Sequence, residues 1–134
     1  MTTTADIVAL FDLWNGALKT QDSRQVTALY AEDGILLPTL SNQVRHNHAE
    51  INDYFVHFCQ KRPVATMIES NVVIAADIAT NSGTCSFELD ADDGTRVTVR
   101  VRFSFAYHKT EDNRLRGAGW EIISHHSSVF PEDG

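Results

Sequence analysis

Between residues 95 and 109 apolar and polar side chains alternate. Val97, Val99, Val101, Phe103, Phe105 and Tyr107 fall on one face of an extended chain, and Thr98, Arg100, Arg102, Ser104 and His108 on the other. Strand side chains point to opposite faces in turn, so this run predicts a long strand with one face on a core. Similar but shorter patterns predict strands at 65–75, 79–90 and 119–128. Asp92-Asp93-Gly94 marks a hairpin between two of them.

The front of the chain has the other period. Ile7, Leu10, Phe11, Trp14 and Leu18 lie on one face of a helix predicted over 5–19, with Thr4 as its N-cap. Asp22 caps a short second helix whose apolar face is Val26, Leu29 and Tyr30. Ala31-Glu32-Asp33-Gly34 reads as a turn into a strand at 35–37, ended by Pro38. Asn47 caps a third helix over 47–60, with Ile51, Tyr54, Phe55 and Phe58 facing inward. Helices first and an antiparallel meander after them define the α+β class. A bent sheet wrapped round three helices makes a cone whose open end is a natural pocket. The 134 residues form one domain, 1–134, in this reading.

The charge is unfavourable for nucleic acid. There are 11 Lys and Arg against 18 Asp and Glu, a net charge of -7, and no basic cluster to displace counterions from phosphates. An anionic membrane is unsuited for the same reason, and no stretch approaches the roughly 20 apolar residues of a span. Met1-Thr2-Thr3-Thr4 has neither the basic start nor the apolar run of a signal peptide, so a cytoplasmic location is expected. Cys59 and Cys85 then read as buried free thiols.

Several segments together resemble a known family. Leu29-Tyr30-Ala31-Glu32-Asp33-Gly34, at the end of the stretch from Trp14 to Asp33, is similar to the opening of nuclear transport factor 2-like (cystatin-like) proteins. Asn42 and Val44, Leu89-Asp90, Tyr107-His108 and the terminal Trp120-Glu121-Ile122-Ile123-Ser124-His125-His126-Ser127-Ser128 resemble the association domain of calcium/calmodulin-dependent protein kinase II. The resemblance implies a homo-oligomer, a dimer or larger, with a deep pocket for a small molecule. It implies no kinase activity, since the chain is too short to hold a kinase domain, and it points to the stand-alone bacterial, SnoaL-like relatives. The kinase family's pocket arginines fall at Thr84, Phe105 and Ser127 here, so a kinase-type anion pocket is not expected.

The same superfamily includes ketosteroid isomerases. The resemblance places the isomerase tyrosine at Trp14, its aspartate base at Pro38 and its second acid at about Phe103, and none of these can do that work. The leading expectation is a non-catalytic module with neither metal nor cofactor. Its pocket would be lined from among Trp14, Tyr30, Tyr54, Phe58, Phe105, His125 and Ser127. Thr98, Arg100, Arg102, Ser104 and His126 would form a dimer face, where Glu88 or Glu121 could pair with the arginines.

His125 is assigned to the pocket by parity with Ser127, and an interface role for a histidine here remains open. The alternative is a small enzyme of the polyketide-cyclase or dehydratase sort, with His125 as acid–base group and Tyr30 or Arg45 orienting the substrate. Arg45 reads more simply as a solvated loop residue. His46 and His48 read as surface histidines rather than a metal pair. Asp90-Ala91-Asp92-Asp93-Gly94 lacks the closing glutamate of a calcium loop.

Overall fold

The computed structural model describes residues 1–111 and 119–131. Helix α1 spans Thr4–Lys19 and buries Ile7, Leu10, Phe11, Trp14, Ala17 and Leu18. Its N-cap is Thr3, one residue before the expected Thr4. The Thr3 hydroxyl accepts from the Asp6 N–H, and the Asp6 carboxylate accepts from the Thr3 N–H at 2.9 Å, a capping box that satisfies two otherwise orphaned donors. Helix α2 is Ser23–Thr27, capped by Asp22, and α3 is His48–Cys59, capped by Asn47.

Strand β1 runs from Tyr30 to Leu37, far longer than the expected 35–37, and Tyr30 belongs to it rather than to α2. The acidic stretch before Gly34 is a bulge within the strand. Tyr30 pairs with Ile122 and Ile35 with Ser124, so the four residues Ala31–Gly34 on one strand oppose the single residue Ile123 on the other. A Cβ at Gly34 would lie 3.0 Å from two carbonyl oxygens, which explains the glycine.

The remaining strands are β2 (Val64–Ala75), β3 (Ile78–Asp90), β4 (Arg96–Lys109) and β5 (Trp120–Val129). The sheet order is β1-β5-β4-β3-β2. Neighbours from β2 to β5 are antiparallel, but β1 joins β5 in parallel, so the sheet is mixed and not wholly antiparallel. The class is α+β, with helices on one face of a curved five-stranded sheet. No helix among the described residues is long and apolar enough to cross a membrane.

Two devices shape this sheet. Asn15 on α1 treats the edge strand as a neighbouring strand would: its amide donates to the Ala65 carbonyl at 2.8 Å, and its oxygen accepts from the Ala65 N–H at 2.9 Å. That closes one stretch of an otherwise open edge. Further along, the β2–β3 register shifts between Met67 and Glu69, and Gly83 lies against the shifted segment. A Cβ at Gly83 would sit 1.9 Å from the Glu69 carbonyl oxygen, a backbone atom that cannot swing aside. Gly83→Ala is therefore expected to cost about 2–3 kcal/mol, read as a lower urea midpoint at unchanged m. A loss below about 0.5 kcal/mol, the range of neutral surface changes, would show that the bulge moves freely.

Candidate functional site

The helices close over the concave face of the sheet, and His125 sits where they meet. The residue is 3% exposed. Phe105 on β4 stacks on it at 3.9 Å with 16° between planes, and Trp14 on α1 meets it edge-on at 5.3 Å. The Trp14 indole N–H donates to Tyr30 Oη at 3.2 Å, and Tyr30 Oη lies 2.7 Å from His125 Nδ1. The Tyr30 oxygen accepts from Trp14, and the only acceptor within reach of its own proton among the described residues is Nδ1, which takes it. The ring is then the neutral tautomer with its proton on Nε2, which has no partner among the described residues.

Burial, reinforced by the charge of His126, pushes the His125 pKa down to about 3. Burial also raises the Tyr30 hydroxyl well above its ordinary value, so it remains a donor. The arrangement offers one uncommitted hydrogen-bond donor, the His125 Nε2–H, in an apolar setting. It does not offer a proton acid at neutral pH.

The interior beside His125 is lined by Trp14, Leu36, Pro38, Thr39, Tyr54, Phe55, Phe58, Phe87 and Ser127. Its free volume is only about 10 Å³, at the lower limit for one water. Sequence reasoning expects a cone that its own side chains cannot fill; here stacked and edge-on aromatic rings fill it almost completely. Tyr30 and Phe105 touch His125 from behind and are not part of this lining. Leu36, Pro38, Thr39, Phe55 and Phe87 were not named for the pocket. Phe55 carried a signal as an inward residue of the third helix and Phe87 lies in the strand expected at 79–90, whereas Thr39, which donates to the Ser127 hydroxyl, carried none.

Of the three positions matched to the kinase family's arginines, Phe105 and Ser127 are buried, while Thr84 pairs with Arg102 on the opposite face. That outer face carries Thr98, Arg100, Arg102, Ser104 and His126, all exposed. Ser104 pairs with His126 and Arg102 with Ser128 across the ladder. The expected pairing of the arginines with Glu88 or Glu121 does not form. Among the described residues neither arginine makes an ion pair; Glu88 opposes Thr98, and Arg100 lies over the Phe130 ring at 5.1 Å.

Other candidates resolve locally. His46 pairs with Glu50 at 2.9 Å, whereas the half-buried His48 donates to the Tyr30 carbonyl, so the two rings serve different partners. Among the described residues no group of three His, Cys, Asp or Glu side chains could hold a metal. Asp90 accepts from Arg62 and Arg96, and the turn after it needs Gly94 at φ 86°. Cys59 and Cys85 are buried and unbridged, their thiols pushed up by burial to about 11 and about 12. Arg45 corrects the expectation of a solvated residue. Its side chain is only 11% exposed and donates to the Glu50 carbonyl and to Asp53.

Three helices on one face of a five-stranded, curved sheet, with a narrow interior beside His125 and Ser127 of β5, define the nuclear transport factor 2-like, cystatin-like class. Residues 3–131 match the model of the calcium/calmodulin-dependent protein kinase II association domain, and the chain belongs to that family. It is similar to a candidate association domain of this kind from Xanthomonas campestris, 38% identical over 98% of this chain and 91% of that one, with TM-score 0.89. At 16% identity it shares its fold with the kinase II hub of S. rosetta, covering 97% and 98% of the two chains at TM-score 0.79. A nuclear transport factor 2-like protein with a cystatin-like fold from Novosphingobium aromaticivorans is 14% identical over 97% and 83%, at TM-score 0.75. No curated protein sequence matches the chain.

Proposed function

We propose that the chain is a non-catalytic, self-associating module of the cytoplasm that assembles through the outer face of its sheet. The observation that carries this reading is Arg102. It stands exposed between Thr84 and Ser128 in a field of small hydroxyl side chains, with no ion-pair partner among the described residues of its own chain. Family membership agrees, since a structural relative is itself a hub. Light scattering at micromolar concentration is expected to give a dimer or larger. Arg102→Glu is expected to weaken association by at least about tenfold, because a like charge at a contact costs several kcal/mol. A wild-type monomer overturns the reading, and an unaffected R102E variant moves the contact elsewhere.

The interior bears on the small-molecule part of this reading. With about 10 Å³ free, a ligand there must displace Tyr54 or Phe58, which fits a small apolar molecule better than a polar one. The enzyme alternative draws support from His125 and Tyr30 lying together in the interior. Three observations weigh against it. The Nδ1 atom is committed to Tyr30, the ring stays neutral down to about pH 3, and Arg45 is engaged by Glu50 and Asp53.

A further inference from the structure

The outer face of the sheet carries opposite charges that its own chain leaves unmatched. Arg102 on β4 stands between Thr84 and Ser128. Glu88 on β3 is exposed on the same face, opposite Thr98. Neither makes an ion pair among the described residues. Neighbouring acids on this face are engaged: Asp90 accepts from Arg62 and Arg96, and Glu69 accepts from the Asn71 amide. Arg102 and Glu88 cannot reach each other. They sit on adjacent strands four ladder steps apart, about 14 Å by strand geometry. A second copy of the chain supplies to each the charge it lacks.

From this placement we infer that two copies pack outer face to outer face about a two-fold axis crossing β3 and β4 at Ser86 and Arg100, with Arg102 of each copy against Glu88 of the other. Symmetry dictates the place. A two-fold contact repeats with roles exchanged, so the axis passes midway between the two residues. That midpoint is the Ser86–Arg100 ladder pair. Between facing sheets the axis lies in the plane of contact, here nearly at right angles to the strands. Strands of the two copies then cross at about 40°, close to the roughly 30° of sheets that ordinarily pack face to face. Ser86 is small and lets the two backbones approach. Arg100 falls near the axis, where it faces its own copy, but its guanidinium is drawn aside over the Phe130 ring at 5.1 Å. The pairing rests on the assembly role proposed above and adds its partner residues and its axis.

A charge exchange tests it, with self-association measured by light scattering for the wild type, Arg102→Glu, Glu88→Arg and the double variant. Each single variant puts like charges together and is expected to raise Kd at least about tenfold. The double variant restores opposite charges and is expected within about threefold of the wild type, a coupling that independent sites do not show. Cross-linking checks the axis. Cys59 and Cys85 are buried, with thiols pushed up by burial, so an added surface cysteine is the reactive one. A short bismaleimide is expected to join Ser86→Cys to its own copy and to leave Thr80→Cys, far along the same strand, unjoined. If both single variants weaken association and the exchange does not restore it, assembly through this face stands and the pairing fails. An unchanged Kd for E88R, or cross-linking at position 80 instead of 86, also overturns the pairing. A wild-type monomer overturns the assembly role and the pairing together.

Discussion

Phe105→Ala is expected to lower stability by about 3–5 kcal/mol and, for 134 residues, the melting temperature by about 10–18 °C. Phe105 is 0% exposed. Its ring stacks on Tyr107 at 5.7 Å and on His125 at 3.9 Å, and it packs against Phe11, Trp14 and Phe103 at tilted or edge-on angles. It thus joins α1, β4 and β5 in one contact set. Removing it forfeits the transfer energy of the ring and leaves a void that rings locked against each other cannot easily fill. Against a total stability of about 5–15 kcal/mol, that is a large fraction. Phe105→Leu keeps most of the volume and is expected to cost under about 1.5 kcal/mol. Urea denaturation of the two variants decides the matter. A loss below about 1 kcal/mol for F105A would mean that the interior repacks, and that the tight filling around His125 is not what holds the cone shut.

How much of this was legible in the sequence depends on whether the deciding contact was local. Alternation at 97–107 marked the inward face of β4 correctly, and Phe103, Phe105 and Tyr107 are buried, because that signal depends only on side-chain direction along one strand. The α1 face was legible for the same reason. The parallel pairing of β1 with β5 was not, since it joins residues about ninety positions apart. The bulge at Ala31–Gly34 was read as a turn because the same residue types favour both. Burial of Arg45 escaped notice because its acceptors come from the facing helix.

The histidine pair shows how narrow the margin was. Counting by twos from the buried Trp120 and Ile122 puts His126 inside. The register shift at Ala106/Tyr107 leaves Ile123 extra on β5 and reverses the parity, so His125 is inside. Counting back from Ser127 meets no bulge and gives the right answer. Cavity size had no local signature at all, because it depends on how rings from α1, α3, β1, β3, β4 and β5 interlock.

The acid response of His125 tests that closure directly. The folded ring has its pKa depressed to about 3, by burial first and by the neighbouring His126 charge second, against 6.5 for the free side chain. Below pH 6.5 the unfolded chain takes up a proton that the folded chain refuses. Stability present at neutral pH is therefore lost as pH falls toward 3, at about 1.4 kcal/mol per pH unit and about 5 kcal/mol in all.

His125→Phe preserves a flat ring against Phe105 and removes this proton. It leaves the Tyr30 hydroxyl without its acceptor, which lowers stability by about 1–3 kcal/mol at every pH, but its stability should fall less steeply between pH 6.5 and 3. The lowered carboxyls of Asp22, Glu50, Asp90 and Asp93 are common to both proteins, so they cancel in the difference. Urea unfolding of both proteins at several pH values gives the two slopes. Divergent curves mean a dry, closed interior in which any guest must first displace aromatic rings. Parallel curves would mean that water already reaches His125, that the ring titrates as it would in solution, and that the cone is open in a way its packing denies.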